Sequence, residues 1–155
     1  MGNSRESSFE QILSEQGYIV YTNVGVSMMP LLRQGKDLMI IRKRPEGRLK
    51  PMDAVLFRRD NGQYVLHRIV KLQPEGYDIL GDNCLASEYV REEQVLGILS
   101  AVERNGKRIE SDSWRNRLYV ALWCRPYRLR TFLLRGKAFA RRILSRIYHF
   151  VKADR

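Results

Sequence analysis

Cysteine is scarce in this chain of 155 residues: only Cys84 and Cys124 occur, too few for a disulfide framework or a cysteine-rich metal site. Both read as ordinary thiols. Histidine is just as scarce, and of the two, His67 and His149, the second has no further ligand near it in the sequence. No metal site and no cofactor are expected. Long apolar runs are missing as well. The longest, Leu118 to Cys124, is seven residues, far short of the roughly 18 to 20 that a membrane-spanning helix needs. Met1 to Glu15 is polar and lacks a hydrophobic stretch followed by a small-residue cleavage site, so no secretory signal peptide is expected. The expected location is cytoplasmic or peripheral to a membrane. Internal repeats and low-complexity segments are absent, which excludes a solenoid or a disordered chain.

What the chain has is the composition of one folded domain, with 44% apolar and 29% charged residues. Its formal net charge of +11 is unevenly placed. Residues 1–113 carry 16 basic and 16 acidic side chains, whereas residues 114–155 carry 12 basic ones against the single Asp154. The body is neutral and the tail holds the whole excess.

Between Gly17 and Glu110 the apolar residues recur with a period of two, in short runs separated by turn residues. Strands are predicted over 18–21, 37–43, 54–58, 63–72, 77–80, 95–104 and 107–109. Asp60-Asn61-Gly62 and Asn105-Gly106 supply the residues that tight hairpins require, and Pro45-Glu46-Gly47 and Pro74-Glu75-Gly76 mark two more turns. After Ser111-Asp112-Ser113, a helix-capping cluster, the period becomes helical. Trp114, Leu118 and Leu122 share a face, and Pro126 ends or kinks that helix. A second helix sets Leu129, Phe132, Leu133, Ala140, Ile143, Leu144, Ile147 and Val151 on one side, with arginines and lysines largely on the others. The predicted fold class is mainly β (α+β), a β domain over 1–113 followed by a basic amphipathic helical extension over 114–155 that is not an independent domain.

Three segments carry the chemistry. Gly25-Val26-Ser27-Met28-Met29-Pro30 places a serine at a tight turn after a β segment. The strand 63–72 alternates Val65, His67, Ile69 and Lys71 on one face with Leu66, Arg68 and Val70 on the other, so both faces are largely apolar and the strand is central. An arginine buried there needs an acid, because an unpaired buried charge costs several kcal/mol in order of magnitude. Asp82, in Gly81-Asp82-Asn83, is an available carboxylate. Ser, His and Asp in one β body are what a serine nucleophile activated by a histidine base requires.

These three runs, together with Met52 to Phe57 leading into Val65 to Val70, resemble the signature boxes of the signal peptidase I superfamily, which includes the self-cleaving SOS-response repressors. The second box holds His67-Arg68, the histidine form found in eukaryotic and archaeal members. The resemblance spans roughly 24–102. It implies a barrel-like antiparallel β body to which a peptide or protein substrate adds as an extended strand, with small residues before the scissile bond. It implies Ser27 as nucleophile and His67 as general base. Asp82 is taken as the acid of the site, and Glu88 stands as the alternative acid that orients His67. Gly25 carries no hydroxyl, so oxyanion donors must come from the main chain at Ser27.

The expected function is therefore that of a serine endopeptidase related to signal peptidases, membrane-associated and working without a cofactor. The basic tail lies against an anionic membrane surface or packs its apolar stripe on the body. Two alternatives stand beside this reading. One is a non-catalytic relative that binds a peptide or partner; the other, less favoured because no recognition motif accompanies the charge, is a nucleic-acid-binding protein. Met28 reads as a core plug and Met29 as an edge contact for substrate.

Overall fold

The computed structural model describes residues 8–153. Ser8 caps the first helix, α1 (Phe9–Gln16), by accepting the Gln11 N–H at 3.2 Å, and Gly17 closes it with a left-handed φ of +78°. This helix was not among the elements expected from the polar N-terminal composition. Its Leu13 is buried in the core, with Phe9 and Ile12 packed beside it.

Eight strands follow: β1 (Tyr18–Thr22), β2 (Leu38–Lys43), β3 (Ala54–Arg58), β4 (Tyr64–Gln73), β5 (Gly76–Leu80), β6 (Glu88–Arg91), β7 (Val95–Arg104) and β8 (Lys107–Glu110). Seven were expected from periodicity; β6 was not, because Glu88-Tyr89-Val90-Arg91 offers only one apolar inward position, Val90. All pairs are antiparallel, in the order β1-β2-β7-β3-β4-β5-β6, with β8 also on β7. The pairs described place β1 and β6 at the two ends of this path, so the architecture is a mainly antiparallel β sheet.

The middle of the sheet is buried on both faces. Ala54 and Leu56 of β3 join Leu66, Ile41, Leu99 and Met28 in one cluster, while Val55 and Phe57 join Ile69, Tyr77, Ile79 and Val90 in the other. That division follows directly from the two-residue alternation of side chains along a strand. β4 lies between β3 and β5 and is thus central, as its apolar character on both faces requires.

Beyond β8, α2 (Trp114–Tyr119) begins at Ser113, whose hydroxyl accepts the Asn116 N–H. The chain then widens into a π-helical turn, Val120–Cys124, with Arg125 N–H donating to the Val120 carbonyl at 2.8 Å. Pro126 stands at the break before α3 (Tyr127–Ala153). Large apolar side chains of this tail, among them Trp114, Leu118, Leu122, Leu129, Phe132, Leu133 and Ile143, are exposed. The apolar stripe therefore does not pack on the body over the residues whose side chains are described. Leu144, Ile147 and Val151 lie outside them.

Candidate active site

Ser27 sits half-buried in a loop after β1 that is braced at every corner. Asn23 is buried; its N–H donates to the Asp37 carbonyl, its carbonyl accepts from Gly35, and its side-chain amide donates to the Gly25 carbonyl at 3.0 Å. Gly25 adopts a φ of +109°, a backbone state that side chains rarely permit. Met28 and Leu32 then plunge into the core and pin the far side of the loop. The peptide between Met29 and Pro30 is cis. Among the described hydrogen bonds, the Ser27 N–H has no acceptor.

His67 projects from β4 opposite Val55, 7% exposed, with its ring 6.1 Å from that of Phe57. Its Nδ1 lies 3.2 Å from Glu88 Oε1, at the start of β6. Glu88 in turn accepts two hydrogen bonds from Arg59, Nε to Oε2 at 2.8 Å and Nη2 to Oε1 at 2.6 Å. Burial of His67 lowers its pKa below the ordinary value, and the Glu88 carboxylate only partly opposes that. For Glu88 burial acts upward, but hydrogen bonds and charge from Arg59 and His67 outweigh it and hold the carboxyl ionised. A neutral imidazole faces an anionic partner that is itself neutralised by Arg59. Sequence reasoning missed Arg59, which follows β3 in an Arg-Arg-Asp-Asn-Gly turn that reads as an ordinary exposed hairpin.

Asp82 does not touch His67. It is fully buried and bound by Arg68, Nε to Oδ1 and Nη2 to Oδ2, both at 2.9 Å. This is the acid that the buried arginine of β4 demanded. Arg68 Nη1 also donates to the Met52 carbonyl at 2.6 Å. The tail supplies the rest of the shell: Tyr119 hydroxyl donates to Asp82 Oδ2 at 2.8 Å, Trp123 Nε1 donates to the Asp82 carbonyl at 3.2 Å, and Cys124 Sγ lies 3.6 Å from Oδ1. Arg130, 2% exposed, brings Nη1 within 3.6 Å of Asp82 and Nη2 within 3.5 Å of the Gly81 carbonyl. Its Nε and Nη1 have no hydrogen-bond partner among the described residues. Burial and the adjacent Asp82 push the Tyr119 hydroxyl far up, so it stays protonated and donates, and burial raises the Cys124 thiol to about 11. Beside this shell lies a cavity of about 670 Å³ lined by Pro30, Leu31, Met52, Arg68 and Tyr119 among others. Nothing in the sequence marked Tyr119 or Arg130 as partners of a turn so far away along the chain.

The Gly81 turn brings the pieces together. Asn83 N–H donates to the Ser27 carbonyl at 2.7 Å, and its side-chain amide donates to the Val26 carbonyl at 3.2 Å. A Cβ placed on Gly81 would stand 2.8 Å from the Ser27 carbonyl oxygen, 3.0 Å from His67 Nε2 and 2.6 Å from Cys84 Sγ. The Ser27 loop, the outward nitrogen of His67 and the Cys84 thiol thus converge on one point that only glycine leaves open. Among the described residues no group of three His, Cys, Asp or Glu is placed to hold a metal ion. Neither a scan against protein-family models nor a search of curated proteins finds a match to this chain.

Proposed function

We propose that this protein is a serine endopeptidase resembling signal peptidase I. The observation that supports it most is the convergence of the Ser27 main-chain carbonyl and His67 Nε2 on Gly81, with Glu88 holding Nδ1 on the far side of the ring; no hydrogen bond between the Ser27 hydroxyl and His67 is among those described. In this reading Ser27 Oγ attacks the carbonyl carbon of a peptide bond and gives its proton to His67 Nε2. The C–N bond breaks, and His67 passes that proton to the departing amine. Water, deprotonated by the same imidazole, then hydrolyses the acyl ester on Ser27. The Ser27 N–H, which has no acceptor among the described residues, meets the developing oxyanion. Glu88 orients His67, and Asp82 acts through Arg68 to hold the strand and turn in place; neither contacts the reacting bond.

Substrate adds as an extended strand at the outer edge of β1, an end of the sheet path, where a peptide can complete the backbone hydrogen bonds. Tyr18, Val20, Tyr21, Val24 and Val26 are exposed along this edge and the segment leading to Ser27. The barrel-like closure of the signal-peptidase type belongs to the same proposal. A non-catalytic binding relative would use the same edge but has no need of a buried histidine held by a half-buried Glu88–Arg59 pair, which favours the enzyme.

The test is intact-mass analysis of a pooled peptide library incubated with the wild-type chain and with Ser27→Ala. Defined fragments that disappear with Ser27→Ala support the proposal. A library left intact by wild type, or cut equally by both, moves the β1 edge to the binding reading.

A further inference from the structure

Helix α3 has two faces pointing in opposite directions. Tyr127, Arg130, Thr131 and Leu134, three and four residues apart, are buried or half-buried toward the body, and Arg130 reaches Gly81 and Asp82. Leu129, Phe132, Leu133 and Ile143 form a stripe roughly half a turn away, at about 100° per residue. All four are exposed, Phe132 at 71%. Arg128, Arg135 and Arg142 run along one border of that stripe, also exposed. Folded monomers seldom leave a continuous apolar strip in water.

Charge selects what covers it. The segment from Trp114 onward carries 12 basic residues against one acid, so a second copy would set like charge against like. A nucleic acid would engage the arginines and leave Phe132 and Leu133 in water. An anionic bilayer satisfies both features, its headgroups taking the guanidinium groups while the stripe enters the acyl boundary. No described helix is long and apolar enough to cross a membrane, so the contact is made in the plane of the interface.

We propose that α3 is a docking surface for anionic phospholipid bilayers. Its opposite face is bonded to the Gly81-Asp82 turn, so docking sets the Ser27/His67 site at the bilayer surface; this second part rests on the peptidase reading, while the docking itself does not.

The full chain is co-sedimented with vesicles of phosphatidylglycerol and phosphatidylcholine, with phosphatidylcholine vesicles and with duplex DNA, and its lipid-free mass is measured by light scattering. It is expected to partition onto the anionic vesicles and not the neutral ones. The double substitution Phe132→Ser with Leu133→Ser removes exposed side chains, so far-ultraviolet circular dichroism should be unchanged while partition falls about a hundredfold. Arg135→Gln with Arg142→Gln should weaken it about thirtyfold. Four results would overturn the proposal: no partition onto anionic vesicles, partition unaffected by the serine pair, binding to DNA alone, or a lipid-free dimer dissolved by the serine pair. Partition is read without peptide substrate, so its failure leaves the peptidase reading standing. A chain that docks but cleaves nothing fails that reading alone.

Discussion

His67 is buried and therefore holds its proton less tightly than a histidine in water. A histidine base works when neutral, so kcat/KM should rise with pH through a midpoint below about 6.5 and then level off. A profile that stays flat from about pH 8 down to the onset of acid unfolding contradicts a His67 base. The stability follows the same sign. The folded pKa lies below the unfolded one, so this contribution is complete above about 6.5 and is lost as pH falls through the folded value. Replacing Glu88 by Gln removes the carboxylate that supports the imidazolium. The midpoint should then move further down and kcat fall about a hundredfold with KM little changed, as expected for an orienting partner. Unchanged kcat would give Glu88 no role in the chemistry. Gly81→Ala tests the convergence itself: its new methyl meets a backbone oxygen, a ring nitrogen and a sulfur within 3.0 Å. Urea unfolding should show a loss of about 1 to 3 kcal/mol, the usual cost of overpacking, and peptide cleavage should fall by more than the stability loss explains.

At the scale of elements, legibility followed repetition. β4 could be read because ten residues alternate with apolar character on both faces, and its buried Arg68 announced that a carboxylate must come from elsewhere in the fold. Asp82 is that carboxylate. Which acid meets His67 was less legible: Asp82 and Glu88 both fit the spacing, and only the pairing of β5 with β6, opposite Ile79, brings Glu88 within reach of Nδ1. β6 escaped periodicity because only Val90 points inward, whereas α1 did carry a helical signature, Phe9, Ile12 and Leu13 behind a Ser8 cap, that the polar composition around it obscured. The tail was legible as a helix, since its period is long and regular. Its mode of attachment was not, because hydrogen bonds from Tyr119 and Trp123 to a turn some forty residues earlier leave no periodic signature. That attachment is testable. Tyr119→Phe removes a hydrogen bond to a buried carboxylate while keeping the ring, and urea unfolding should register a loss of about 1.5 to 3 kcal/mol. A loss near zero would mean that the tail and the Asp82 turn are not energetically joined.

The whole molecule separates two tasks that share one turn. A body of balanced charge holds a β sheet whose middle strands are buried on both faces, and a tail with all the excess positive charge lies across the turn that holds the Ser27 loop. Tail electrostatics are exposed and therefore screened over about 10 Å at ordinary salt. The Arg68–Asp82 pair is buried and escapes that screening. Raising salt should thus weaken surface contacts while the site geometry persists. The most direct test of the central claim is acid-quenched mass spectrometry of the chain during turnover of a cleaved peptide. The account predicts a mass increase equal to the amino-side fragment, mapped to the digest peptide that contains Ser27 and absent from Ser27→Ala. Cleavage that proceeds with no adduct and survives Ser27→Ala would contradict it.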